Sequence, residues 1–311
     1  MTGVVTIGET MGLFAADTPG ARPTSFQLRM GGAESNVAIG LARLGVEATW
    51  MGRLGADSTA DLILRELRAE GVTASATLDP DAPTGLMIKS QPLAGRTRVE
   101  YHRKGSAGSR LSPADLDEDA IAEASLLHVT GITHALSESA AAAIDRALDI
   151  AEAADIPISF DINHRPTLWR GRDAADIYRA IARRSTIVFA GLDEAALVVD
   201  GSTPEELTSR LGDLGAEQVL VKMGAEGCIA LVDGQLLEVS AVPIAPVDTV
   251  GAGDAFAAGY LAELLEGGDL ETRLTTAVRA GAFACLGYGD WESLPHRSDL
   301  GLIEGSDPVQ R

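Results

Sequence analysis

Apolar residues follow two patterns along the chain, short continuous runs and longer stretches with helical spacing. A continuous apolar run predicts a strand of a parallel sheet, because helices cover both faces of such a sheet. In the second half of the chain the runs and the helical stretches alternate in the order 126–130, 138–153, 158–161, 174–182, 186–190, 203–214 and 218–222. This alternation predicts an α/β fold, doubly wound and mostly parallel, with helices on both faces of the sheet.

The first half of the chain contains the same kinds of element and one further kind. Strands are predicted at 4–7 and 49–53, and amphipathic helices at 33–44 and 57–70. Two β-type runs at 84–91 and 96–103 follow each other without a helix between them, which is typical of a hairpin. With the weakly alternating stretch 22–30 they predict a small separate sheet. We expect one domain over 1–311, with ligands bound beyond the carboxyl ends of the strands.

Composition narrows the class of protein. The chain has 311 residues, 46% of them hydrophobic and 23% charged, as in an ordinary soluble globular protein. No run of about 18 apolar residues occurs, so we expect no membrane span. The net charge of -20 argues against nucleic acid and anionic membranes as partners. Cys228 and Cys285 lie far apart in apolar surroundings, which indicates two reduced buried thiols and favours the cytoplasm.

The most informative stretch is Asp-Thr-Val-Gly-Ala-Gly-Asp-Ala-Phe at 248–256, which precedes a helical run at 257–265. Its glycines let the backbone approach a ligand, and the free N–H groups at a helix start attract an anion. A carboxylate beside a bound phosphate is repelled by its charge, so its presence there indicates a chemical role. Asp254 therefore suggests a general base for phosphoryl transfer. The alternative is an aspartate placed there only as a helix N-terminal residue.

Two further segments carry chemistry. Arg165, which follows a predicted strand, offers a planar charged fork for a carboxylate or a phosphate. The alternative is a structural arginine paired with Asp161 or with an acidic helix. Tyr101 and Arg103 are two residues apart on a predicted strand, so they face the same side and converge on one ligand.

Residues 248–259 resemble the C-terminal signature of the ribokinase family of carbohydrate kinases, and 31–38 resemble its N-terminal signature. Within that family, Gly-Gly-Ala-Glu at 31–34, Tyr-x-Arg-Lys-Gly-Ser-Ala-Gly-Ser at 101–109 and Asp-x-Asn-x-Arg-x-Thr-Leu-Trp at 161–169 resemble 2-keto-3-deoxygluconate kinases. The resemblance implies a lid sheet over the sugar, formed by segments at about 12–30 and 84–104.

The resemblance also implies roles for individual residues. It implies a catalytic group made of Asp254 as base with Gly251, Ala252 and Gly253. The residues that it implies for the sugar acid are Gly32, Asn36, Tyr101, Arg103, Arg165 and Asp290. Those for the nucleotide are Asn163, Lys222, Gly224, Ala225, Gly227, Gly251 and Gly253. For Lys222 the alternative is a surface lysine at a strand end.

The implied cofactors are ATP and Mg²⁺, with Glu194 as a metal ligand, directly or through water. Whether a monovalent cation such as K⁺ binds behind Asp248 stays open. The chain departs from the family pattern in two places. Some relatives have a tyrosine where this chain has Met87, and the family's Asn-x-x-Glu segment appears here as Gly-Leu-Asp-Glu at 191–194.

The predicted activity is ATP-dependent phosphorylation of a sugar acid at its 6-hydroxyl, and the first predicted substrate is 2-keto-3-deoxygluconate. The first alternative is a fructokinase or another neutral-sugar kinase, for which paired arginines have no evident use. A catalytically silent sugar-binding sensor and a nucleoside kinase are the others. The exposed edge of a lid sheet predicts a homo-oligomer, a dimer or higher, that pairs through the lid.

Overall fold

The structure is a computed structural model that describes residues 2–18, 20, 22–93, 96–169 and 171–304. Parts of the predicted domain 1–311 and of the two predicted lid segments, namely residues 1, 19, 21, 94, 95, 170 and 305–311, lie outside the described residues.

A sheet of nine strands forms the centre of the protein. In chain order its strands are β1 (Thr2–Ile7), β4 (Ala48–Gly55), β5 (Thr73–Asp79), β8 (Ala124–Thr130), β9 (Ile158–Asp161), β10 (Ile187–Gly191), β11 (Gln218–Lys222), β12 (Cys228–Val232) and β13 (Gln235–Val239). Their spatial order is β13-β12-β11-β10-β9-β8-β1-β4-β5. Neighbouring strands from β5 to β11 are parallel, and β12 and β13 extend the sheet antiparallel. The mostly parallel doubly wound sheet predicted from the sequence is confirmed.

Helices pack on both faces of this sheet. They are α1 (Ala33–Arg43), α2 (Ser58–Ala69), α3 (Glu118–Ala122), α4 (Gly131–Leu136), α5 (Glu138–Ala153), α6 (Pro166–Trp169), α7 (Ala175–Ala182), α8 (Leu192–Val198), α9 (Pro204–Gly212), α10 (Ala252–Leu265) and α11 (Leu270–Ala284). Successive residues of one strand point to opposite faces, so Val4 and Val5 enter different buried clusters. The first cluster packs against α1, α2, α10 and α11, and the second against α5, α7 and α9. In the described part of the chain, no helix is both long and apolar enough to span a membrane.

A second sheet of four strands lies beside the first. Its strands are β2 (Met11–Ala16), β3 (Phe26–Gly31), β6 (Leu86–Leu93) and β7 (Arg96–His102), in the spatial order β3-β2-β6-β7. Strand β6 pairs with β2 in parallel and with β7 in antiparallel orientation. The predicted strand at 22–30 is shorter than expected, since β3 starts only at Phe26, after Pro23 has removed a backbone donor. Hereafter this four-stranded sheet is the small sheet.

Several elements of the structure were not predicted. Strand β5 is an edge strand with the polar sequence Thr-Ala-Ser-Ala-Thr-Leu-Asp, so it lacks an apolar run. Strands β12 and β13 form a hairpin around Asp233 and Gly234, both with positive φ, and Asp-Gly is a strong hairpin signal that the sequence analysis overlooked. Helix α11 was also missed, and α10 begins at Ala252 instead of residue 257.

Candidate active site

The carboxyl ends of five parallel strands border one cavity of about 420 Å³, hereafter the polar cavity. Glu9 follows β1, Ile132 follows β8, and Asp161, Gly191 and Lys222 end β9, β10 and β11. The small sheet contributes a second wall with Met11, Met87, Val99 and Tyr101, and Arg103 follows directly after β7. The cavity therefore lies where ligands of open α/β sheets bind, with the small sheet as its cover.

A second cavity of about 460 Å³, hereafter the apolar cavity, lies on the other side of the turn at 249–253. Its apolar lining includes Val242, Ile244, Phe256 and Val278. Three of the residues predicted for the nucleotide, Gly224, Ala225 and Gly227, also line it. Lys222, Thr249 and Gly253 border both cavities, so a ligand in one cavity is close to a ligand in the other.

The turn between the cavities has a conformation that only glycine adopts easily. Gly251 is the N-cap of α10 with φ of 81°, and a Cβ atom there would lie 2.0 Å from the carbonyl oxygen of Asp290. Ala255 N–H donates the first helical bond to Gly251, while Ala252 N–H donates a long bond of 3.4 Å to Thr249. The N–H groups of the first turn of α10 thus lie at the meeting point of the two cavities.

Asp254 lies in that first turn, is 9% exposed and lines the polar cavity. Its Oδ2 accepts a hydrogen bond of 2.8 Å from Asn36 Nδ2 at the start of α1. Burial raises the pKa of Asp254 to about 7, and the charge of Asp161 adds to this rise. The hydrogen bond from Asn36 and the charges of Arg165 and Lys222 act in the opposite direction. A carboxyl with a pKa near 7 is suited to exchange a proton at neutral pH.

Lys222 and Asp161 form an ion pair in the polar cavity, and Lys222 also borders the apolar cavity. The distance from Lys222 Nζ to Asp161 Oδ2 is 2.7 Å, and the lysine side chain is 18% exposed. Burial alone would lower the pKa of Lys222, but the carboxylates of Asp161 and Glu194 outweigh it, so that pKa is raised. Lys222 is therefore a charged residue inside the site, not the surface lysine that was the alternative.

The two predicted arginines differ in their partners. Arg165 is half-buried, lines the polar cavity and donates to the carbonyl of His164 at 3.3 Å. Within the described ranges it forms no ion pair, and its expected alternative partner Asp161 pairs with Lys222. Arg103 Nε, by contrast, donates to Oε2 of the fully buried Glu9 at 2.6 Å. Glu9 thus balances the charge of Arg103. Both arginines line the polar cavity, and their contact with a sugar acid stays a prediction.

The predicted metal ligand Glu194 is engaged with the backbone. Its Oε1 accepts from His164 N–H at 2.7 Å and its Oε2 from Gly191 N–H at 2.6 Å. Among the residues that the structure describes, no three His, Cys, Asp or Glu side chains are grouped to hold a metal. Asp161 Oδ1 is buried in the polar cavity without a hydrogen-bond partner in the described chain. Glu194 and Asp161 thus suit a hydrated ion that is held mainly by a ligand's own oxygens.

The other predicted site residues fall on both sides of the turn. The polar cavity is lined by Gly32, Asn36, Tyr101, Asp290, Gly251 and Asn163. Ala252 lines the apolar cavity. Asn163, predicted for the nucleotide, lines the polar cavity together with the residues predicted for the sugar acid, and its role stays a prediction. Its φ of 41° is the left-handed conformation that asparagine tolerates better than most residues.

Sequence reasoning missed Glu9 and Glu34 as residues of the polar cavity. Glu34 is 1% exposed, and its Oε1 accepts from Thr130 at 2.6 Å and from Thr133 at 2.7 Å. Burial raises the pKa of Glu34. The sequence contained a clue to each glutamate. Glu9 comes two residues after a predicted strand, and Glu34 belongs to the motif Gly-Gly-Ala-Glu at 31–34.

Comparison with known proteins agrees with this geometry. The model of the pfkB family carbohydrate kinase matches residues 1–297. A 2-dehydro-3-deoxygluconokinase from Bacillus subtilis (strain 168) is 37% identical over 305 residues, which cover 95% of this chain and 93% of the relative. A 2-dehydro-3-deoxygalactonokinase from Haloferax volcanii is 32% identical over 293 residues, with 92% of each chain covered.

A solved structure from E. coli, whose name calls it a ribokinase II, was determined in complex with ATP and Mg²⁺. It is 25% identical, superposes with a TM-score of 0.91, and the match covers 98% of this chain and 99% of that one. The fold, the turn at 248–254 and the family match over most of the chain lead to one conclusion. The chain belongs to the pfkB family of carbohydrate kinases.

Proposed function

We propose that this kinase transfers the terminal phosphoryl group of ATP to the 6-hydroxyl of 2-keto-3-deoxygluconate (2-dehydro-3-deoxygluconate). The observation that carries the proposal is the position of Asp254. It lies in the polar cavity beside a turn that borders both cavities, and Arg165 faces the same cavity without a carboxylate partner in the described chain. A base, a phosphate turn and an unpaired cation together fit a hydroxylated substrate that carries a carboxylate.

The sugar acid occupies the polar cavity in this proposal. Arg165 binds its carboxylate, because a charge-assisted pair in a water-poor cavity is strong. Asn36, Tyr101 and the backbone at Gly32 hold its hydroxyl groups, and Asp290 closes the side next to the turn. Met87 lies opposite Tyr101 in the small sheet, so this position supplies an apolar contact and not a hydroxyl.

The reaction is an in-line displacement. The Asp254 carboxylate takes the proton of the 6-hydroxyl as the hydroxyl oxygen forms a bond to the terminal phosphorus. The bond from that phosphorus to the bridging oxygen breaks, and ADP leaves with the electron pair. The N–H groups at the start of α10 stabilise the charge on the transferring group, with Gly251 and Gly253 giving them access.

The nucleotide occupies the apolar cavity, with its phosphates directed toward Lys222 and Gly253, which border both cavities. Apolar walls with few polar groups suit a nucleobase. When bound, Mg²⁺ would neutralise part of the charge of the phosphates. In this chain the unpartnered Oδ1 of Asp161 and the carboxylate of Glu194 would hold its water ligands.

A second candidate substrate is the galactonate epimer. A relative at 32% identity is named for 2-dehydro-3-deoxygalactonate, and the two acids differ only in the direction of one hydroxyl. Arg165 binds the carboxylate of either epimer equally. A neutral sugar such as fructose gives the unpaired guanidinium of Arg165 no partner, so we rank neutral-sugar kinases lower.

The test is ADP release with ATP and Mg²⁺ against 2-keto-3-deoxygluconate, its galactonate epimer, gluconate, fructose and ribose. We expect turnover only with the two keto-deoxy acids, and loss of that turnover in Asp254→Asn. Faster turnover of fructose or ribose would contradict the substrate assignment and leave the family assignment intact. No ADP release with any of these acceptors would favour the sugar-binding sensor.

We further propose that two copies associate through the small sheet. Strands β3 and β7 each have only one neighbour, so their outer edges are unpaired within the described chain. Phe26 and Leu28 on β3 are 38% and 44% exposed, which is high for large apolar side chains. A second copy that pairs along β3 would cover both. Light scattering after size-exclusion chromatography should give a dimer, and Leu28→Glu should give a monomer.

A further inference from the structure

Lys89 is a buried lysine of β6 whose ammonium group is surrounded by oxygen atoms. Its Nζ donates to the carbonyl of Gly289 at 2.7 Å and to Oδ1 of Asp290 at 3.0 Å. A third oxygen, Oδ2 of Asp248, lies 2.7 Å from Nζ and forms an ion pair with it. The lysine side chain is 7% exposed, and those of Asp248 and Asp290 are 2% and 9% exposed.

These three oxygens belong to the loops that shape the phosphate turn. Asp248 opens the turn, and its Oδ1 accepts from Val250 N–H at 3.3 Å. The carbonyl of Asp290 lies where a Cβ atom of Gly251 would be, so the loop at 289–290 supports the turn directly. Asp290 also lines the polar cavity. Lys89 therefore links the small sheet, the turn and the cavity wall through one charge.

The same oxygens decide whether a monovalent cation fits behind Asp248. Two buried carboxylates and a carbonyl form a site for a hard monovalent cation such as K⁺. Here the lysine ammonium already sits among them, within 3.0 Å of each oxygen. A second cation would be repelled by that charge at close range. The K⁺ that the sequence analysis left open therefore does not fit this chain.

We propose that Lys89 is a positioning residue that acts as a tethered monovalent cation, holding the turn at 248–253 in place so that phosphoryl transfer needs no added K⁺. The proposal rests on the proposed kinase function. Because Lys89 belongs to the small sheet, its ammonium group reaches Asp248 and Asp290 only while that sheet packs against their loops. Without Lys89, two buried carboxylates face each other without a counter-charge and push the two loops apart.

A neighbouring cavity makes the proposal testable with small ions. This cavity of about 160 Å³ is lined by Lys89, Asp248, Gly289 and Tyr288, together with residues of β2 and β3. Truncation of Lys89 to alanine joins the vacated space to this cavity. An ion the size of NH₄⁺ or K⁺ then has room to reach Asp248 and Asp290. A methionine at position 89 removes the charge but keeps the space filled.

The experiment compares wild type, Lys89→Ala and Lys89→Met in tetramethylammonium, Na⁺, K⁺ and NH₄⁺ chlorides at equal ionic strength. We expect the wild-type rate to be the same in all four salts. Lys89→Ala should lose kcat by about 100-fold, the usual effect of a small misplacement in an active site. K⁺ or NH₄⁺, but not tetramethylammonium, should restore at least about a tenth of the wild-type kcat in that variant. Lys89→Met should stay inactive in every salt.

Thermal melting in the same salts gives a readout that does not depend on the substrate. K⁺ and NH₄⁺ should raise the melting temperature of Lys89→Ala and leave that of wild type unchanged. If the sugar acids are not turned over but this melting pattern appears, the proposed substrate is wrong and the tethered cation stands. A wild-type enzyme that requires K⁺ for turnover or for stability overturns the proposal. So does a folded Lys89→Ala variant that responds to none of the ions.

Discussion

The side-chain amide of Asn36, at the start of α1, donates a hydrogen bond of 2.8 Å to the carboxylate of Asp254, at the start of α10. This bond stabilises the charged form of Asp254 and so lowers its pKa, against the larger effect of burial that raises the pKa to about 7. The ends of two helices from distant parts of the chain thus set the protonation of the proposed base together.

This relationship predicts the pH dependence of catalysis. Because the base must be ionised, kcat/KM should rise with pH through about 7, the pKa of Asp254. Asn36→Leu removes the hydrogen bond, and since such a bond to a charge is worth about 1.5–3 kcal/mol, the rise should move upward by roughly one pH unit or more. ATP titrates identically with both enzymes and is therefore an internal control. An unmoved profile would show that another group titrates.

Asp254→Asn should make the protein less active and more stable. Turnover should fall by about 10²- to 10⁴-fold with the loss of the base. Folding raises the pKa of Asp254 from 3.8 to about 7, so ionisation of this carboxyl destabilises the native state relative to the unfolded state. The full destabilisation applies above pH 7, and none of it applies well below pH 4. Removing the carboxylate should therefore stabilise the fold at pH 8 by on the order of 4 kcal/mol.

The gain in stability should shrink as the pH falls, and urea denaturation at pH 8 and pH 5 measures it. Asp213→Asn is a matched control, because it makes the same chemical change at an exposed position, the C-cap of α9. An equal gain for Asp254→Asn at both pH values would contradict the assigned protonation.

Gly251→Ala and Gly267→Ala form a matched pair at the two ends of α10. Both glycines have nearly the same positive φ, 81° and 78°, but the space around Gly267 is open. Gly267→Ala should cost only the left-handed strain of roughly 1–2 kcal/mol. Gly251→Ala would in addition place its Cβ atom 2.0 Å from the carbonyl oxygen of Asp290. This variant should therefore lose more stability than Gly267→Ala, and it should lose turnover. Equal losses in both variants would show that the turn tolerates a Cβ.

The two arginines of the polar cavity should respond differently to removal. Arg165→Leu should raise KM for the keto acid by an amount equivalent to roughly 2–5 kcal/mol, leave KM for ATP nearly unchanged and keep the fold stable. Arg103→Leu leaves Glu9 buried without its partner and should cost about 3–5 kcal/mol of stability. Thermal melting and steady-state kinetics on both variants separate the roles. A large rise in KM for ATP would move Arg165 to the nucleotide side.

Much of the fold followed from local patterns. Residues 138–153, 158–161 and 218–222 coincide with α5, β9 and β11, because their apolar spacing and their caps agree with the tertiary structure. Strand β5 could not be found in this way, since its edge position leaves it without an apolar run. Residues 252–256 were read as part of a turn, although the turn ends at Gly251 and α10 already begins at Ala252.

The sequence predicted which residues line the site, but it did not predict which of them form ion pairs. Local motifs place Asp254, Asn36 and Arg165 in one cavity, because motif residues at strand and helix ends meet at one edge of the sheet. The partner of Arg103 was not predictable, because Glu9 is 94 residues away and no local pattern joins the two. Lys89 was missed for the same reason, since its oxygen partners lie about 160 and 200 positions later in the chain.

The placement of Asp254 in α10 also bears on the synthesis of this protein. Glu9, Asn36, Arg103 and Arg165 all leave the ribosome before the turn at 248–254. Helix α10 packs on α1 and supplies Phe256, Tyr260 and Leu261 to the first core cluster. A nascent chain that ends before α10 therefore leaves that apolar face of the sheet exposed, and the face is covered only after α10 has been synthesised.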